Sequence, residues 1–227
     1  AASGVAPKGL GRTLTFMMGL TIAFMVMMQF GRINRISGFL LFASLVGFLI
    51  WQYFEAMAHR DQPSEFEDFD DDVGELPSST RRIVSYLAFG LIGLLVGAQL
   101  IVGNAVMIAQ DWGVSDAVIG LTIVAIGTSL PELAASFASA WNGRASLALG
   151  NVVGSNIFNI AGILGITALI LPLPVDPHLV KFDMWIMLAS SGLLCLLYVM
   201  RLQLARMAGL AMTGAYIAYL VATFLIV

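Results

Sequence analysis

Apolar stretches of about 20 residues recur along the chain, separated by short polar or charged links. A bilayer core of about 30 Å is crossed by about 20 helical residues. The pattern predicts seven membrane-spanning helices, over 13–30, 36–57, 83–109, 115–140, 146–171, 183–200 and 207–227. In lipid every backbone polar group must be satisfied within the chain, which leaves helices as the economical solution. The expected fold class is therefore all-α, a polytopic membrane bundle of about seven transmembrane helices.

Two of these stretches carry polar residues where apolar ones are the rule. Within Val114 to Ala140 stands Gly127-Thr128-Ser129-Leu130-Pro131-Glu132. A carboxylate at that depth costs about 2.5–3.5 kcal/mol on insertion scales. Pro131 removes a backbone donor and crowds the preceding turn, so the helix should kink or break beside the acid. Such irregular backbone is tolerated in membranes where a cavity or a neighbour satisfies it. A carboxylate, two hydroxyls and loosened carbonyls near Ala125 and Ile126 form a hard-oxygen cluster suited to Na⁺ or Ca²⁺. The next span holds Gly150-Asn151-Val152-Val153-Gly154-Ser155-Asn156-Ile157-Phe158-Asn159. On a regular helix Asn151, Ser155 and Asn159 share one face. Gly150, Gly154, Gly162 and Gly165 would admit a closely packed neighbour.

GTSLPEL followed by GNVVGSNIFN resembles the second alpha-repeat of the cation/calcium antiporter superfamily, and most of all its prokaryotic sodium/calcium exchangers. The paired motif covers about 45 residues; over the rest of the chain the resemblance is one of layout. It implies that Thr128, Ser129, Glu132, Ser155 and Asn159 occupy ion-coordinating positions. Asn151, Asn156 and the carbonyls of Ala125 and Ile126 are further candidates along the ion path. In some relatives the position of Asn159 is an Asp, and the Asn here lowers the charge. The implied fold has ten helices in two inverted halves, and the implied activity is Ca²⁺/Na⁺ exchange by alternating access. The transported ions would be Ca²⁺ and Na⁺, with no cofactor, in a bacterial or archaeal inner membrane.

Composition agrees with a membrane-embedded chain: 59% of residues are hydrophobic and 11% charged, and the mean hydropathy is +0.91. A water-soluble domain carries about 25% charged residues. Most of the acid lies in the link 58–82, around Glu65-Phe66-Glu67-Asp68-Phe69-Asp70-Asp71-Asp72. A Ca²⁺-loop register counted from Asp68 fails, because Val73 stands where Gly is required and Ser79 where Glu is required. The stretch reads as a solvated acidic linker. Lys and Arg set orientation. One side receives Lys8, Arg12, Arg60, Arg81, Arg82, Arg144, Arg201 and Arg206, the other Arg32, Arg35 and Lys181. This places the acidic loop in the cytoplasm and the C-terminus outside, as the resemblance also implies.

The first two spans resemble the last two in layout, each pair being joined by a short basic link. Transporters are often built from two such repeats. Residues 1–57 then read as the last two helices of a first repeat, 58–82 as the linker, and 83–227 as a five-helix second repeat. On this reading about 90 residues, with the partner motif, would precede the chain. The missing N-terminal half would be its partner, and in the resembling family that half supplies a second Glu.

The remaining polar residues point elsewhere. Gln99 and Asn104 read as interhelical contacts, Asp111 and Asp116 as solvated acids beside a loop, and Cys195 as packing. No P-loop, zinc spacing or nucleophile–histidine pairing appears. The chain is accordingly expected to be no enzyme and to have no nucleic-acid partner. Two other readings remain open on the residues: proton- or potassium-coupled calcium antiport, and a non-transporting membrane scaffold.

Overall fold

The computed structural model describes residues 9–58, 79–200 and 206–226. Residues 59–78 of the acidic linker lie outside the described residues, as do Lys8, Arg60 and Arg201 of the charge count. The described chain is helical but for two short strands and the turns between elements. The order is α1 (Leu10–Met28), β1 (Arg32–Ile33), α2 (Arg35–Ala58), α3 (Thr80–Asp111), α4 (Asp116–Ile119), α5 (Ala125–Thr128), α6 (Leu130–Trp141), α7 (Ala145–Ile157), α8 (Gly165–Ile170), β2 (Leu173–Pro174), α9 (Met184–Val199) and α10 (Arg206–Ile226). Three π-helical segments interrupt the sequence of α-helices: π1 (Gly120–Val124), π2 (Phe158–Leu164) and π3 (Leu179–Asp183).

Among the described residues, five helical stretches are long and apolar enough to cross a bilayer: Leu10–Met28, Arg35–Ala58, Thr80–Asp111, Ala145–Ile170 and Leu179–Val199. A sixth, Thr122–Thr128 with Leu130–Trp141, qualifies as a pair bent by 51°. These six correspond to the first six predicted spans. The seventh is α10, whose apolar part is the shorter Gly209–Ala222. At 32 residues, α3 is about 48 Å long, so it exceeds the hydrocarbon thickness. It ends at Gly113, whose φ of +77° is the left-handed conformation that closes a helix.

The described helices form two compact units that cut across chain order. One gathers α1, α2, α7, α8 and α9, and the other α3 to α6 with α10. In the first unit α1 buries Leu10, Leu14, Met17, Leu20, Phe24 and Met28, spaced three and four apart on one face. Helix α2 does the same with Gly38, Leu41, Leu45 and Phe48. Their partners are Val153 and Ile157 of α7, Ile160 and Ala161 of π2, and Ala168 of α8. A stacked pair of rings, Phe16 and Phe48, joins α1 to α2 with centroids 4.2 Å apart.

Two glycines let backbone touch backbone in this unit. A Cβ at Gly38 would stand 2.7 Å from both the Gly165 carbonyl oxygen and the Leu169 amide nitrogen. One at Gly165 would stand 3.0 Å from the Phe42 amide nitrogen. Small residues at a membrane helix interface work in this way. The antiparallel pair β1–β2 (Arg32 opposite Pro174, Ile33 opposite Leu173) ties the α1–α2 turn to the α8–α9 link. In the second unit α3 packs along α4, π1, α5 and α6.

Candidate functional site

The break in the second unit falls where Pro131 requires it. Helix α5 stops at Thr128, Ser129 takes φ −94° and ψ 3°, and α6 restarts at Leu130. Proline has no N–H, so the Gly127 carbonyl lacks the donor that a continuous helix would supply four residues on. Glu132 sits in the first turn of α6. There the helix dipole and the exposed amides favour negative charge. The residue is half-buried, and its Oε2 has essentially no exposed surface. Thr128 and Ser129 are exposed beside it.

The carbonyls of this turn are engaged locally. Thr128 Oγ1 lies 2.9 Å from the Val124 carbonyl oxygen and 3.2 Å from that of Ala125, and donates to them. The Ser129 amide donates to the Ile126 carbonyl at 3.1 Å. Ala125 and Ile126 therefore each accept one hydrogen bond, and a carbonyl oxygen has two lone pairs. Gly127 is buried against α3. A Cβ there would collide with Cγ2 of Val102, and would stand 3.2 Å from the Val102 Cβ.

The second motif lies in the first unit. Asn151 and Ser155 share a face of α7, and both are half-buried. The stripe expected to continue to Asn159 meets a change of helix type first. From Phe158 the ladder becomes π-helical, so Asn159 stands at the start of the wider turns. It is exposed. Ser155 Oγ donates to the Val152 carbonyl at 3.0 Å, and Asn156 Nδ2 to the same oxygen at 2.8 Å. Of the four glycines expected to admit a neighbour, Gly162 and Gly165 meet α2. Added Cβ atoms at Gly150 and Gly154 would meet nothing within 4 Å.

One chemical pattern unites the two motifs. A hydroxyl has one proton to donate and two lone pairs to offer, and an amide group separates the two roles. Thr128, Ser155 and Asn156 each spend a proton on a carbonyl of their own helix. For the two hydroxyls this leaves only oxygen lone pairs to offer, the complement of a hard cation. Asn104 of α3 likewise donates to its own helix, at the Leu100 carbonyl 2.6 Å away, rather than across a helix interface as expected. Among the described residues no three His, Cys, Asp or Glu side chains cluster as a preformed metal site. The π segments and the Val102–Gly127 contact were not foreseen. A glycine opening the Thr128–Glu132 motif was the available signal for the contact.

Apolar helices of spanning length, one broken beside a carboxylate, define an integral membrane protein. The sequence profile of the family described as "Sodium/calcium exchanger protein" matches residues 83–225. The chain belongs to that family. It is 40% identical over 196 residues to CaxA of Alkalimonas amylolytica, covering 82% of this chain and 59% of that protein. It is 34% identical over 215 residues to the inner membrane protein YrbG of Escherichia coli, covering 93% and 66%. The match to the sodium/calcium exchanger MaX1 of Methanosarcina acetivorans is 39% over 140 residues, covering 62% and 40%. The chain thus spans less than two thirds of the length of each of these relatives. Among solved structures, the sodium-calcium exchanger NCX_Mj soaked with Na⁺ and Sr²⁺ superposes with a TM-score of 0.69 at 30% identity, covering 96% of this chain and 67% of that one. A second soak of the same exchanger gives 0.64 at 32% identity, covering 85% and 59%.

Proposed function

We propose that the chain works in secondary active cation antiport, exchanging Ca²⁺ for Na⁺ across the membrane by alternating access. The observation that carries this reading is the helix break at Ser129, which sets the Glu132 carboxylate in a first helical turn beside the exposed residues Thr128 and Ser129. Glu132 carries the charge common to the Ca²⁺- and Na⁺-loaded states. Thr128, Ser129, Ser155 and Asn159 act as neutral oxygen ligands, helped by the carbonyls of Ala125 and Ile126. Asn151 and Asn156 flank the ion path. Ca²⁺ takes 6–8 oxygens and usually more than one carboxylate, so a further acid from a partner half of the exchanger completes the charge. Residues 1–57 and 83–227 belong to two successive repeats. The acidic linker faces the cytoplasm and the C-terminus the outside, following the distribution of Lys and Arg.

Neutral ligands with one shared carboxylate support exchange rather than leak. An empty carboxylate in a low-dielectric interior is costly, so the inward/outward switch is easy only when the charge is compensated. The test is Na⁺-gradient-driven ⁴⁵Ca²⁺ flux into proteoliposomes of the full-length protein. Wild type should transport, and Glu132→Gln should lose flux while still folding. Flux that follows a proton gradient instead would favour the calcium/proton alternative. Normal flux in Glu132→Gln would remove the carboxylate from the mechanism.

A further inference from the structure

We propose that Val102 of α3 is a positioning residue for ion binding: its side chain sets where the last turn of α5, and with it Thr128, stands. The proposal rests on the reading of Thr128–Glu132 as ion ligands. Three observations carry it. First, Gly127 is buried and the volume its missing Cβ would take is already filled by Val102, with Cγ2 in collision and Cγ1 3.4 Å away. Helix α5 therefore stands at a distance from α3 that glycine alone permits.

Second, none of four glycines on α3 itself makes such an approach. Gly90, Gly93, Gly97 and Gly103 of α3 have nothing within 4 Å of an added Cβ. The α3 side of the contact is thus a branched side chain, and the α5 side is bare backbone. Third, the turn that rests on Val102 moves as one piece. Thr128 Oγ1 holds the carbonyls of Val124 and Ala125, and the Ser129 amide holds that of Ile126. On its far side Pro131 withholds the helical bond that would otherwise tie Gly127 onward to α6. Lateral support from α3 then replaces the missing axial support. A displacement of Gly127 carries the Thr128 hydroxyl oxygen with it.

The consequence is a size rule. Adding a methyl at 127 should push the turn off α3, and shortening Val102 should let it return. The experiment measures Na⁺-gradient-driven ⁴⁵Ca²⁺ uptake by the full-length protein in proteoliposomes, with thermal unfolding in detergent alongside. Gly127→Ala displaces the Thr128 oxygen with its turn, so it should raise half-saturating Ca²⁺ about tenfold. Val102→Ala placed in the Gly127→Ala background should bring it back to within about threefold of wild type, a coupling between contacting residues. Should Gly127→Ala not fold, Val102→Ile and Val102→Ala in the native background give the second reading, through opposite shifts in half-saturating Ca²⁺ at unchanged protein level. A double variant that regains thermal stability but not affinity overturns the proposal. So does a native-background pair that moves the unfolding temperature alone. Glu132→Gln distinguishes the two readings. If it retains flux, the ligand reading fails and this proposal with it. If it abolishes flux and the size swap still gives no rescue, the positioning role alone is overturned.

Discussion

At Ser129 the helix stops and restarts at 51°, because Pro131 has no N–H to give. At Phe158 the helix never stops, and the ladder lengthens its step through seven π-helical residues with no proline in them. Both stretches carry the motif's polar residues, and both depart from regular helical geometry at that point. They differ in what the departure leaves behind. The proline break exposes a helix N-terminus and seats a carboxylate in its first turn. The π segment exposes no terminus and carries only a neutral amide, Asn159. Charge is placed where amides and dipole can stabilise it; a neutral amide needs no such terminus.

Replacing Pro131 with Ala restores the missing donor to the Gly127 carbonyl and should straighten the break. Misplacing reacting groups by about 1 Å costs about hundredfold in a positioned site, so Pro131→Ala should lower Ca²⁺ flux by that order. Unchanged flux would mean that the bend is incidental. Gly38→Ala tests the support of the π segment's neighbourhood, since the added methyl meets the backbone of Gly165 and Leu169 rather than a yielding side chain. A loss of about 1–3 kcal/mol is expected from overpacking, read as a lowered unfolding temperature. Asn159→Asp asks whether the π stretch tolerates charge. A second carboxylate favours the divalent ion, so half-saturating Ca²⁺ should fall about fivefold, a shift near 1 kcal/mol. Gly154→Ala should move stability by no more than about 0.5 kcal/mol, because its added methyl meets nothing within 4 Å.

Much of this contrast was legible in the chain itself. Pro131 announces its break because proline acts on its own backbone, whatever surrounds it. The spans announce themselves because lipid imposes their length. The π segments leave no such trace: Phe158–Leu164 reads FNIAGIL, as apolar and helix-compatible as its flanks. An expanded turn is decided by packing around it, here by Ile160 and Ala161 against α1 and α2. The glycines divide for the same reason. All four looked like places for a neighbour, but only Gly162 and Gly165 lie on the face that α2 covers. Nor does chain order disclose that α7 to α9 pack with α1 and α2 while α10 groups with α3 to α6. That grouping is a property of the whole chain.

The hydroxyl protons of Thr128 and Ser155, turned back onto their own helices, have a consequence for what each motif can dissolve. Water solvates both signs of ion because it presents hydrogen to one and oxygen to the other. A surface whose hydrogens are already occupied is a half-solvent. It can stand in for the hydration shell of a cation and has little to offer chloride. Such a surface discriminates by sign without needing a net charge for each ligand, and its neutral members do not titrate.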